Sequence, residues 1–166
     1  VIVADPKTPF SPDELEKLDK YISAGGNMLI AGEPGRQDLL NPLLRTFGVQ
    51  MTAGTMIQES KDFAPDFVRA VFAPGTDAAA PAYEKFRHDR ATIAMPGAAG
   101  LTYSDSGVYA IHPILVTDQR NTWNRPGGLG PDTGKIACTP LLGDDKRQAV
   151  LGLTLTRKMR AKQQRI

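Results

Sequence analysis

Val1-Ile2-Val3-Ala4, Ser11-Pro12-Asp13-Glu14-Leu15 and Gly25-Gly26-Asn27-Met28-Leu29-Ile30-Ala31 are the three pieces of sequence that decide how this chain reads. The first is a short, continuous apolar run, the pattern of a strand covered on both faces. Asp5-Pro6-Lys7-Thr8-Pro9 breaks it. In the second piece Ser11 stands where an N-cap would, Pro12 suits the first helical position, and Glu14 completes a capping box. Phe10 and Leu15 have the spacing of a hydrophobic staple across that cap. Leu15, Leu18 and Ile22 then line one face, while Asp13/Lys17 and Glu16/Lys20 form exposed i,i+4 pairs. Gly25-Gly26 ends the helix, since glycine takes a left-handed C-cap at little cost. Asn27 to Ala31 reads as a second buried strand. Strand, helix and strand make a right-handed βαβ unit. The expectation is a three-layer α/β domain with a mainly parallel central sheet, begun by residues 1–30.

Gln37 to Phe47 reads as a second helix with Leu39, Leu40, Leu43 and Leu44 on its apolar side. Pro42 within it implies a late start or a kink. Gly48 ends it, and Val49-Gln50-Met51 is extended. Met56 to Ala73 is mixed in pattern. Ala73–Ala82 and Pro96–Gly100 read as loops, as does the polar, glycine-rich stretch Thr117 to Gly134. Val108 to Val116 is apolar enough for a strand, although Pro113 argues against one long central strand. Ala149 to Thr156 reads as a last strand, followed by a basic tail from Arg157 to Arg165.

The totals agree with one globular domain spanning 1–166. The chain has 166 residues, 41% hydrophobic and 23% charged, with a formal net charge of +2. That is enough apolar material for one core. It is not the composition of a nucleic-acid-binding or disordered chain. No apolar run approaches the roughly 20 residues of a membrane helix, and no signal peptide is visible. Because Val1 to Ala4 already reads as a buried strand without an initiator Met, the chain reads as a piece of a larger protein. Cys138 is the one cysteine, which rules out an intramolecular disulfide and leaves the compartment open.

The opening segment, Val1 to Ser11 followed by the helix ending in Tyr21-Ile22-Ser23-Ala24-Gly25-Gly26-Asn27 and then Met28-Leu29-Ile30, resembles the auxiliary-component family of ABC-type transport systems. That family includes the gliding-motility auxiliary protein. Asn41-Pro42-Leu43-Leu44 with Phe47-Gly48-Val49 is similar to the family's next helix and "G-V" step. Pro113 to Thr117 with Thr122-Trp123-Asn124 resembles its late strand and Trp-containing turn. Leu151 to Arg157 with Gln163-Gln164-Arg165-Ile166 resembles the approach to its last core strand. The resemblance covers roughly the first 50 and last 55 residues. It implies a flavodoxin-like or glutamine-amidotransferase-like fold without catalytic residues or a cofactor. It also implies an extracytoplasmic, periplasmic domain attached to the inner membrane by flanking helices outside this chain, working beside ABC permease and ATPase subunits. Such a domain, lacking the next strand, would be expected to self-associate along the exposed edge or to leave its tail after Arg157 disordered or rearranged.

The chemistry-bearing residues point the same way. Cys138 lies in Lys135-Ile136-Ala137-Cys138-Thr139-Pro140, without the glycine-flanked strand-to-helix turn that presents a nucleophile. It reads as a small packed hydrophobe. The alternative is a small amidotransferase-like hydrolase using Cys138, with His112 as a partner. His88 sits among Lys85, Arg87, Asp89 and Arg90, as a surface residue would. No C-x-x-C or H-x-x-x-H pair suggests a metal. Gly32-Glu33-Pro34-Gly35-Arg36 follows the second strand at its carboxyl end, where open α/β sheets bind ligands. Glu33, Gly35 and Arg36 are therefore the candidate ligand-binding residues, weighed against a plain turn. Arg125-Pro126-Gly127-Gly128-Leu129-Gly130 lacks the ending of a nucleotide P-loop. Arg157, Lys158, Arg160, Lys162 and Arg165 read as a solvated basic segment or a contact for acidic lipid or a partner. Aromatic residues do not interleave with them, which leaves nucleic-acid stacking without support.

Overall fold

The structure, a computed structural model, describes residues 1–74, 81–104, 107–118, 120–127, 139–160 and 162–166. The opening unit forms as its sequence dictates. Strand β1 (Ile2–Ala4) pairs in parallel with β2 (Leu29–Ala31), with Ile2 opposite Leu29. Helix α1 (Pro12–Ser23) crosses between them. The Ser11 Oγ accepts from the Glu14 N–H at 3.3 Å, and a Glu14 carboxylate oxygen accepts from the Ser11 N–H at 2.8 Å. Those bonds to Ser11 hold the Glu14 carboxyl below its usual range. Ser11→Ala is expected to cost about 1 kcal/mol in a urea titration; no change in midpoint would show that α1 is held by its packing alone.

The parallel arrangement stops there. Helix α2 (Gln37–Leu44) leads into a 3-10 turn at Arg45–Phe47 and then strand β3 (Val49–Met51). Strands β4 (Thr55–Gln58), β5 (Phe67–Phe72), helix α3 (Pro81–His88), β6 (Thr92–Pro96), β7 (Leu101–Tyr103), β8 (Ala110–Val116), β9 (Thr122–Arg125), β10 (Val150–Lys158) and β11 (Gln163–Arg165) follow. The main sheet has the order β3-β7-β10-β8-β5-β6, with β11 added to β10. Every pairing within it is antiparallel. Strands β4 and β9 form a separate antiparallel pair.

The expected mainly parallel, flavodoxin-like or glutamine-amidotransferase-like sheet is therefore corrected: the protein is built on a large antiparallel sheet with one parallel βαβ unit docked beside it. Only β10 and β11 are neighbours joined by a short connection; the other antiparallel neighbours are brought together by longer excursions of the chain, so local sequence did not set their direction. The alternating Leu151, Leu153 and Leu155 of β10 suit such a sheet. The apolar runs that suggested strands covered on both faces are covered on one only. Val3 and Ile30 pack inward with Phe10, Leu15 and Leu18, but Ile2 is 72% exposed and Leu29 58%.

Two further readings change. Pro113 does lie in a central strand, β8, opposite Leu153. The β10–β8 register shifts between Gly152 and Leu153, and such an irregularity accommodates a residue that has no N–H to donate. The polar stretch read as loop contains β9, whose Trp123 is 1% exposed. Trp123 pairs with Ile57 across the β4–β9 ladder.

The basic tail is not a free solvated segment. Strand β10 continues to Lys158, and β11 folds back on it, with Arg157 opposite Gln164. Ile166 exchanges both backbone bonds with Leu155, at 2.8 and 2.9 Å. On its far side β11 reaches the βαβ unit, where the Met28 N–H donates to the Arg165 carbonyl at 3.1 Å. Gln164 is fully buried. Its Nε2 donates to the carbonyls of Ile22 and Gly26, at 2.9 and 2.7 Å, and so closes the end of α1. Its Oε1 accepts from Arg157 Nε at 3.0 Å. Arg157 also donates to the Ile22 carbonyl and stacks over the Tyr109 ring at 5.1 Å.

Candidate functional site

The core is divided. One cluster joins α1, α2, β3 and the end of β10 through Leu40, Leu43, Phe47, Val49, Met51 and Leu155. The other joins β4, β5 and the start of β10 through Met56, Val68, Ala70 and Leu151. Between them lies a cleft of about 540 Å³. Its walls are Ile30 to Gly32 of the β2 segment, Leu40 and Leu44 of α2, Ala94 and Met95 of β6, and Leu151 to Leu153 of β10. Ile166 closes one end, and Glu33 is the one charged residue among its described lining residues.

The elements that wall this cleft are fixed from behind. Asn41, on the buried side of α2, donates to the Met51 carbonyl at 3.2 Å and accepts from the Met51 N–H at 2.8 Å. One amide thus does the work of a neighbouring strand on β3. Gln37 Nε2 donates to the Thr52 carbonyl at 3.1 Å. The helix runs through Pro42 without breaking. A Cβ at Gly32 would stand 2.1 Å from Leu40 Cδ1, so a larger residue there would have to displace the buried Leu40 side chain.

At Glu33, Pro96 and Gly97 the apolar cleft opens into a second, polar trough of about 870 Å³. Its described carboxylates are Glu33, Asp38 and Asp66, and no described lysine, arginine or histidine lines it. Gly54 closes its floor. Gly54 has φ +96°, and a Cβ there would meet the Arg125 carbonyl oxygen at 2.2 Å.

Of the three ligand candidates, Glu33 and Gly35 line this trough and Arg36 does not. Arg36 instead turns back toward the end of β1, its Nε 3.6 Å from Asp5 Oδ1. Asp5 carries a left-handed φ of 39°. The hydrogen bond from Lys7, helped by the charges of Lys7 and Arg36, holds the Asp5 carboxyl below its usual value. Asp38, Asp66, Gly54 and Gly97 went unnoticed in the sequence. They come from four separate segments, and only the fold brings them together.

Of the other candidates, His88, His112 and Arg125 line neither the cleft nor the trough, whereas Pro126 and Gly127 of the second glycine-rich loop line the trough. Cys138, with Gly128 to Gly130 of the second glycine-rich loop, lies outside the described residues. His88 is on exposed α3, 3.4 Å from Asp89, and His112 is on β8 opposite Thr154. Arg125, the start of the second glycine-rich loop, is buried in an ion pair with Asp144, Nη2 to Oδ2 at 2.9 Å. Among the described residues no group of three or more His, Cys, Asp or Glu could hold a metal ion. No helix among them is long and apolar enough to cross a membrane.

No protein-family model matches the chain, and no curated protein does either. Among solved structures, the chain is similar to the one described as the mmIFT52 N-terminal domain, at 23% identity and a TM-score of 0.55. The similarity covers 75% of this chain and 55% of that one, so the chain spans about half the length of the structure it matches. At that identity the likeness is one of fold.

Proposed function

We propose that this chain is a non-enzymatic binding or scaffolding domain, and that its cleft holds part of a partner protein. The observation that carries this reading is the cleft itself: about 540 Å³ of largely aliphatic surface between two cores, in the size range of pockets that enclose a ligand. Aliphatic walls of this kind can exclude water from a partner's apolar side chains, and Glu33 is the one charged residue among the described lining residues that could move a proton. The biological setting we propose is the extracytoplasmic part of an auxiliary component of an ABC-type transport system, attached to the inner membrane through flanking helices and working with permease and ATPase subunits. That setting rests on the sequence resemblance of the opening segment and the tail.

Two measurements test the proposal. The isolated chain is expected to turn over neither amide nor ester substrates; turnover that disappears in Cys138→Ala would establish the hydrolase instead. The full-length natural protein, co-expressed with any permease and ATPase encoded beside it, is expected to co-purify with them. Failure to do so, or the lack of such neighbours, would remove the transporter setting.

A further inference from the structure

We propose that the turn between β10 and β11 docks on an anionic membrane surface through Lys158, Arg160 and Lys162. This rests on the membrane-attached setting proposed above and names the part of the domain that meets the bilayer. Positive charge is unevenly spread along the chain. Residues 146–166 hold seven of its 20 lysines and arginines and none of its 18 acidic residues. The rest of the chain is therefore net negative, and most of the cations after residue 145 fall on one hairpin.

The fold sorts those cations. Arg157 turns inward, to Gln164, the Ile22 carbonyl and the Tyr109 ring. Lys158, the next residue along β10, is exposed, as the alternation of strand side chains requires. Arg160 and Lys162 are exposed in the turn itself. Among the described residues no carboxylate forms an ion pair with any of the three. Their field is therefore left for a partner outside the chain.

The turn is anchored, so these charges are held in place. Lys158 pairs with Gln163, and the Met159 N–H donates to the Lys162 carbonyl at 2.8 Å. The side chains of Met159 and Lys162 lie across Gly25 at the end of α1, where an added Cβ would stand 3.2 Å from Met159 Cε and 2.9 Å from Lys162 Cε. From the turn, β11 leads away to Ile166 beside Leu155. The cations stand at the opposite end of that strand.

A lipid surface suits this tip better than a nucleic acid does. Residues 158–162 include no aromatic side chain on which a base could stack. A layer of anionic headgroups needs only cations that reach it together, and each lysine or arginine at such a surface strengthens binding about fivefold.

The test is cosedimentation of the 166-residue chain with vesicles at millimolar lipid. The vesicles are either phosphatidylcholine alone or equal parts phosphatidylcholine and phosphatidylglycerol. The chain is expected to bind the mixed vesicles, to ignore the neutral ones, and to come off as salt is raised. Lys158→Gln/Arg160→Gln/Lys162→Gln is expected to bind about a hundredfold more weakly. Lys158→Glu/Arg160→Glu leaves Lys162 against α1; it should bind as poorly with an unchanged urea midpoint, which separates lost contact from lost fold. Lys7→Gln/Lys61→Gln/Lys85→Gln removes as much charge from other exposed positions and should stay within about twofold of the native chain. An equal loss in that control would mean an effect of net charge alone, and equal binding to both vesicles would mean an apolar contact. Tighter binding to a duplex oligonucleotide than to the mixed vesicles would make the partner a nucleic acid. Any of these overturns the inference, as does failure to sediment with the mixed vesicles. If permease and ATPase subunits co-purify while the vesicles do not bind, the membrane contact falls and the scaffolding domain stands. If the vesicles bind through this turn and no such subunits co-purify, the contact stands without the transporter.

Discussion

Asp144→Ala is expected to destabilise the protein by about 3–5 kcal/mol, measured as the loss in unfolding free energy in denaturant. The side chains of Arg125 and Asp144 are only 9% and 3% exposed. A buried guanidinium that loses its carboxylate keeps its desolvation cost and loses the attraction that offset it. Arg125 also donates to the Thr139 carbonyl at 3.1 Å, and Asp144 accepts from the Leu141 N–H at 2.8 Å. The pair therefore ties the chain after β9 to the segment that returns before β10. The reciprocal backbone bonds between Asn124 and Asp145, at 2.8 and 2.9 Å, lie beside it. A loss below about 1 kcal/mol would mean that the pair behaves as a surface ion pair.

The same pair has a pH signature. Burial would raise the Asp144 pKa, but the hydrogen bond from Arg125, the Leu141 N–H and the Arg125 charge together hold it below the ordinary 3.8. A carboxyl with a depressed folded pKa contributes stability that is complete above its unfolded value and is lost as pH falls through the folded one. The stability advantage of the native protein over Asp144→Asn is therefore expected to be constant near neutrality and to shrink below about pH 4. An advantage that is unchanged at pH 2 would contradict the pairing.

Gln164→Leu carries the second large effect, about 3 kcal/mol. Leucine fills similar space, but it leaves the Gly26 carbonyl and Arg157 Nε without the partners they have at 2.7 and 3.0 Å. Each buried polar group left unsatisfied costs about 1–3 kcal/mol. Tyr109→Phe is the control. The Tyr109 hydroxyl stands 3.4 Å from Gln164 Oε1, so its removal should cost under about 1 kcal/mol. If the two variants lose equal stability, Gln164 is not the central member of the network.

Local signals were legible, and long-range ones were not. Ser11, Glu14 and Gly25 specify α1 through bonds made within a few residues, and the sequence shows both partners. The parallel pairing of β1 with β2 follows from the same stretch. Extending that pairing to the whole sheet failed, because strand direction elsewhere depends on which strand becomes the neighbour. Nothing within β10 states that β8 lies on one side and β11 on the other. Gln164 illustrates the difficulty most sharply. Set between Gln163 and Arg165 in a basic tail, it has the composition of a surface residue. Only the fold shows that its amide closes a helix made at the other end of the chain. The candidate site was half visible for a similar reason. The segment after β2 was found by the rule for parallel strands, which gave Glu33 and Gly35. Asp66 and Gly97 needed the antiparallel β5–β6 pairing to bring them there, the Gly97 N–H donating to the Asp66 carbonyl at 3.0 Å.

The end of α1 is completed by side chains from far along the chain: Arg157 lies 135 residues from Ile22, and Gln164 lies 142. During synthesis at about 5–20 residues per second, that interval is on the order of ten seconds. Over that time the first βαβ unit has emerged without the residues that cap its helix and pair beside Met28. It is too small to be stable on its own. The earliest part of this chain to be made is thus among the last able to reach its native contacts, and contacts of such long sequence separation slow folding. In the cell, that unit would spend the interval as an exposed apolar segment, a substrate for chaperones before it is part of a domain.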